Sequence, residues 1–132
     1  MIVIDTSALI AVLENEPDGN RFIDAMGDAE QCLISAVSLH EAGAVIQSRH
    51  RAKGLADLNA LCDLIDAQII AFDETQARIA IDAFGRFGKS IHSKARLSIG
   101  DCASYALAKS SNLPLLFKGN DFKATDIVAA LS

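Results

Sequence analysis

Apolar residues arrive in two rhythms along this chain. Short unbroken runs (Ile2-Val3-Ile4, Cys32-Leu33-Ile34, Ile69 to Phe72 and Leu113 to Phe117) suit strands buried on both faces. Ile127 to Ala129 is a candidate fifth. Between the runs, apolar positions fall at helical spacing. They cover Ala8 to Leu13, then Phe22, Ile23 and Met26, with Pro17-Asp18-Gly19 as a stop between. Ser38 is expected to open a helix carrying Leu39, Ala42, Val45 and Ile46 as far as Gly54. A separate helix from Leu55 to Ile65 presents Leu58, Leu61 and Cys62. Asp73 caps the next, with Gln76 in the capping-box position and Ile79, Ala80 and Phe84 facing inward. Ile99 to Lys109 is the last. Strands alternating with helices predict an α/β fold: a single domain over residues 1–132, with a mainly parallel sheet of four to five strands flanked by helices on both faces.

In such sheets, ligands bind outside the carboxyl ends of the strands. Four acids fall there. Asp5 ends the first apolar run, Glu41 follows the second, Asp101 opens the Ile99 helix, and Asp121 follows the fourth run. Each has an ordinary explanation alone. Asp5 serves as a helix cap, and Glu41 completes a capping box with Ser38. Asp101 faces a helix dipole, and Asp121 sits in a turn after Gly119-Asn120. Those explanations do not say why every acid falls at the same sheet edge. Carboxylates gathered within a few ångströms cannot all stay ionised without a counter-charge. A hard divalent cation, Mg²⁺ or Mn²⁺, supplies one and gives an acidic cleft the chemistry of phosphodiester hydrolysis.

Charge distribution strengthens that reading. The net charge is −5, which argues against a nucleic-acid partner, but residues 1–82 carry −9 and residues 83–132 carry +4. The acid-free stretch 85–100 holds Arg86, Lys89, Lys94 and Arg96 beside His92. It reads either as a solvated loop or as a phosphate-contacting surface, with Lys118 nearby. Three widely spaced cysteines, without a CxxC pair, argue against a disulfide framework or zinc site and for reduced thiols. No basic leader precedes the first apolar run, and no stretch reaches 18 consecutive apolar residues. A cytoplasmic chain without a membrane span is the expectation.

The segments IVIDTSAL, SAVSLHEAGAVI, IGDCASYALA and LLFKGNDF, in this order and spacing, resemble the PIN-domain ribonucleases, specifically the VapC toxins of VapBC toxin–antitoxin pairs. The likeness runs from residue 2 to about residue 126. It implies that Asp5, Glu41 and Asp101 match the three acids of a Mg²⁺ or Mn²⁺ site and Asp121 a fourth, more variable one. Thr6 or Ser7 matches a supporting hydroxyl. It further implies metal-dependent cleavage of RNA (often a tRNA or rRNA), a homodimer, and a VapB-type antitoxin that occludes the acidic cleft. The residues alone reach a metal site on an α/β domain, not RNA or an antitoxin.

Rival readings lack their marks. A dehalogenase-type phosphatase wants an acid where Ser7 stands, a receiver domain wants an acidic pair, and a dinucleotide site wants GxGxxG after the first strand. A binding-only version of the fold would be expected to have substituted acids. His40, beside Glu41, points about 100° away on a helix and reads as surface or interface. His50 and His92 read as contacts to RNA or solvent, and Tyr105 as core. The high apolar fraction fits a dimer interface or a dense core equally.

Overall fold

The computed structural model describes residues 1–131. Four strands, β1 (Ile2–Ile4), β2 (Cys32–Ser35), β3 (Gln68–Ile70) and β4 (Leu115–Leu116), form one sheet in the order β3-β2-β1-β4. All pairings are parallel. The helices are α1 (Thr6–Leu13), α2 (Gly19–Asp28), α3 (Ala36–Leu64), α4 (Glu74–Phe87) and α5 (Ile99–Ser111).

Three of the four unbroken apolar runs have the expected cause; the run from Ile69 does not, because β3 is an edge strand paired only with β2 and Ile69 is 42% exposed. Ile2, Ile4, Cys32, Ile34 and Leu116 point to one face, where they pack with Leu9, Phe22, Met26, Ile46 and Leu58 of α1, α2 and α3. Val3, Leu33 and Leu115 point to the other and pack with Ala83, Cys102, Tyr105 and Leu107 of α4 and α5. Each fully buried Ile, Leu or Val side chain contributes about 1.5–3 kcal/mol. The chain runs outward from β1 to β3 and then returns to the far side of β1 as β4. Strand order therefore reverses between β1 and β4, where a crevice opens at the strands' carboxyl ends. Asp5 is the first residue beyond β1.

Several boundaries differ from expectation. The fifth strand reduces to a single parallel bridge between Leu115 and Ala129. The β2 helix starts at Ala36, because Ser35 caps it by accepting the Val37 N–H at 3.2 Å. Ser38 thus lies inside the first turn and is buried, and it forms no capping box with Glu41. The break in α3 falls at Arg51 (φ 56°, ψ −142°), not at Gly54. Gly54 has another cause: a Cβ there would come within 2.6 Å of the Ile46 carbonyl oxygen. Asp73 does cap α4, accepting the Gln76 N–H at 2.9 Å, while the Gln76 side chain bonds the Ala71 carbonyl instead. Among the described residues no helix is long and apolar enough to cross a membrane.

Candidate acidic site at the strand ends

Asp5 caps α1 from a nearly sealed position, 2% exposed. Its Oδ2 accepts the Ser7 N–H at 3.0 Å and the Ser7 hydroxyl at 2.6 Å. Its Oδ1 accepts the Ser104 hydroxyl from α5 at 2.5 Å. Ser104 also contacts the Ser38 hydroxyl of α3 at 3.0 Å. Ser7 further accepts the Lys118 N–H at 2.9 Å, which ties the segment after β4 to the same carboxylate. Thr6 bonds the Ser38 carbonyl at 3.3 Å rather than Asp5, so of the two candidate hydroxyls it is Ser7 that touches the acid.

Asp101 completes a capping box with Ser98. It accepts the Ser98 N–H at 2.9 Å while its own N–H donates to Ser98 Oγ at 3.1 Å. The box holds the carboxyl at the opening of α5, half-buried. Glu41, exposed on α3, lies over Gly100. A Cβ on Gly100 would stand 2.7 Å from both Glu41 carboxylate oxygens. Glycine leaves that space to the Glu41 carboxylate as it stands; a larger residue would shift the flexible Glu41 side chain. Asp121 is exposed on the loop after β4.

The acids are electrostatically one group. Burial raises the Asp5 pKa, the bonds from Ser104 and Ser7 lower it, and the charge of Glu41 raises it further. Burial also pushes Asp101 from its ordinary 3.8 up to about 6, opposed by the Ser98 bonds and helped by the charges of Asp5 and Asp121. Asp5, Glu41, Asp101 and Asp121 are therefore electrostatic neighbours at the strand ends. Among the described residues no three His, Cys, Asp or Glu side chains already close around a single point. The donors are hard carboxylate oxygens, and Asp5 and Asp101 carry raised proton affinity, which fits a cation that keeps several of its waters.

The expected basic surface divides. Lys89, Lys94 and Arg96 are exposed and have no ion-pair partner among the described residues. Their loop is shaped by His92, whose Nδ1 accepts the Lys94 and Ala95 N–H groups at 3.0 and 2.9 Å. Arg86 instead lies over the Phe87 ring and near Asp82 and Asp126. Lys118 spends its charge on Glu16 and Asp18, at 2.5 and 3.1 Å. His50 pairs with Glu14, beside Arg49, and not with solvent alone. His40 is exposed as expected, and Tyr105 is core, its hydroxyl donating to Asp126 at 2.7 Å.

Sequence reasoning did not single out Gly100, Ser104 or the inward turn of Ser38. A glycine in a helix's first turn beside a candidate acid was a usable signal for the first. A serine inside the apolar run of α5 was one for the second.

Comparisons with known proteins bear on the fold and the family. The family description "PIN domain" matches residues 2–128. A protein named "Ribonuclease VapC" from Mycolicibacterium smegmatis is 43% identical over 128 residues, spanning 97% of this chain and 98% of its own. The solved Mycobacterium tuberculosis VapC20, described as a sarcin-ricin loop cleaving toxin, superposes with a TM-score of 0.79 at 15% identity, covering 97% of each chain. VapBC2 from Rickettsia felis, solved bound to a DNA fragment from its promoter, gives 0.75 at 16% identity, covering 98% of this chain and 96% of that one.

The raised Asp101 pKa has a stability consequence. The folded chain binds that proton more tightly than the unfolded chain, so the contribution of Asp101 to stability is fully present below pH 4 and is lost as pH rises through about 6. Asp101→Asn keeps an acceptor for the Ser98 N–H and removes the charge. In chelator-treated buffer, urea denaturation will show Asp101→Asn more stable than the natural chain above pH 6, with the advantage gone below pH 4. Equal differences at both pH values would refute this electrostatic account.

Proposed function

The chain belongs to the PIN-domain family as a VapC-type ribonuclease, and from that premise we propose a Mg²⁺- or Mn²⁺-dependent endoribonuclease that is the toxin of a toxin–antitoxin pair. The observation that carries the reading is the gathering of Asp5, Glu41, Asp101 and Asp121 at the reversal point of the sheet. Asp5 and Asp101 are the principal ligands in this scheme. Glu41 would bind directly or through water, and Asp121 would complete the site or hold a second ion. When bound, the ion offsets the like charges and makes a bound water nucleophilic near neutral pH. Ser7 and Ser98 hold the two principal carboxylates in place. Lys89, Lys94 and Arg96, on the loop leading into α5, hold the RNA backbone that the acids alone would repel. Arg86 and Lys118 contribute less, since each already faces carboxylates. Hydrolysis at phosphorus then leaves a 5′-phosphate and a 3′-hydroxyl.

Protein partners follow from the same reading. The Rickettsia felis neighbour is a VapBC pair, which supports a VapB-type antitoxin here. Beside the acidic cleft, an apolar groove of about 410 Å³ runs between α4 and α5, with Ile81 and Ile99 exposed at its lip. Exposed apolar surface of this kind suits a protein contact, such as a homodimer or the antitoxin.

The purified chain, freed of any co-purifying partner, will cut total cellular RNA into discrete 5′-phosphorylated fragments with Mg²⁺ or Mn²⁺. EDTA and Asp5→Asn will each abolish the fragments. Cleavage that persists in chelator or in the variant would overturn the proposal. In Gly100→Ala, the new methyl group pushes the flexible Glu41 side chain aside. Thermal melting will therefore be unchanged or higher, while the cleavage rate falls about tenfold or more. An unchanged rate would remove Glu41 from the scheme.

A further inference from the structure

The hydroxyl contacts around Asp5 have a direction. A serine hydroxyl owns one proton, and an ionised carboxylate only accepts. Ser104 therefore gives its proton to Asp5 Oδ1 at 2.5 Å. With that proton committed, the 3.0 Å contact between Ser38 and Ser104 has Ser38 as donor. The chain runs Ser38 to Ser104 to Asp5, and both serines are fully buried. On the opposite side, Lys118 N–H donates to Ser7, and Ser7 donates to Oδ2.

Counting lone pairs then singles out one oxygen. A carboxylate has about four acceptor positions. Oδ2 receives two donors, the N–H and O–H of Ser7, and is saturated. Among the described residues Oδ1 receives one donor, Ser104, and keeps one position open. Spacing adds a second regularity. Ser38 lies three residues before Glu41, and Ser104 three residues after Asp101. On a helix, that spacing places both members of a pair on one side.

We propose that the buried Ser38–Ser104 relay positions Asp5 so that only Oδ1 faces the cleft, and that it sets the spacing between α3 and α5, hence between Glu41 and Asp101. Ser104 is a positioning residue, acting through Asp5 and not on substrate. The assignment rests on the acidic cleft being a cation site. Losing the Ser104 hydroxyl removes the one bond on Oδ1, so that Ser7 alone holds the carboxylate, and leaves Ser38 without its acceptor. Losing the Ser38 hydroxyl leaves the bond to Asp5 intact, so its effect is smaller.

The test measures Mn²⁺ affinity by calorimetry and thermal melting in the natural chain, Ser104→Ala, Ser104→Cys, Ser104→Thr and Ser38→Ala. Partners that orient ligands typically change metal affinity by about 10–100-fold. Ser104→Ala should lose that much, and Ser104→Cys, similar in shape but a weak donor, should follow it. Ser104→Thr, which keeps the hydroxyl, should recover most of the loss, and Ser38→Ala should lose less than Ser104→Ala. In RNA cleavage at saturating metal, kcat should fall while KM stays. A folded Ser104→Ala or Ser104→Cys with natural Mn²⁺ affinity would overturn the relay and leave the cation site standing. A natural chain that binds no Mn²⁺ would overturn both.

Discussion

The burial of Asp5 is the constraint on which the rest of the structure depends. A carboxylate at the end of a central strand is costly unless donors surround it. Here the donors come from every element that carries another acid. Ser104 belongs to α5 with Asp101, and Ser38, one bond further out, belongs to α3 with Glu41. The Lys118 N–H, acting through Ser7, belongs to the loop with Asp121. In each case, the tethering residue and the acid are three positions apart. Satisfying one buried charge thereby sets the positions of three others.

That arrangement leaves an electrostatic cost in the folded state. The hydrogen bonds to Asp5 and Asp101 offset burial only in part, and both carboxyls keep raised proton affinity. Repulsion between fixed acids is released by protonation or by a cation. At neutral pH a cation, if bound as proposed, would be the more effective, because it would also engage Glu41 and Asp121, which are exposed. The basic loop complements this. The backbone at Lys94 and Ala95 is tied to the His92 ring, and Lys89, Lys94 and Arg96 form no ion pair among the described residues.

Much of this was legible in the sequence, for physical reasons. Runs such as Ile2-Val3-Ile4 alternate between two cores, and no other arrangement buries every residue of the run. The four acids stood out because strand ends in a parallel sheet converge. What stayed hidden depends on contacts between distant segments. Ser38 read as a cap because the true cap, Ser35, lies inside the second strand. Gly54 read as a stop although its role is to let helix segments approach closely, while the turn itself falls on Arg51. The charges of Lys118 and Arg86 were legible, but their partners Glu16, Asp18 and Asp126 lie far along the chain.

The most direct measurement is anomalous diffraction from crystals of the chain grown with Mn²⁺. The account predicts a peak in the cleft at about 2.0–2.2 Å from a single oxygen of Asp5 and from Asp101, with Glu41 bound directly or through one water. No peak at saturating Mn²⁺, or a peak only at acids elsewhere on the surface, would contradict it.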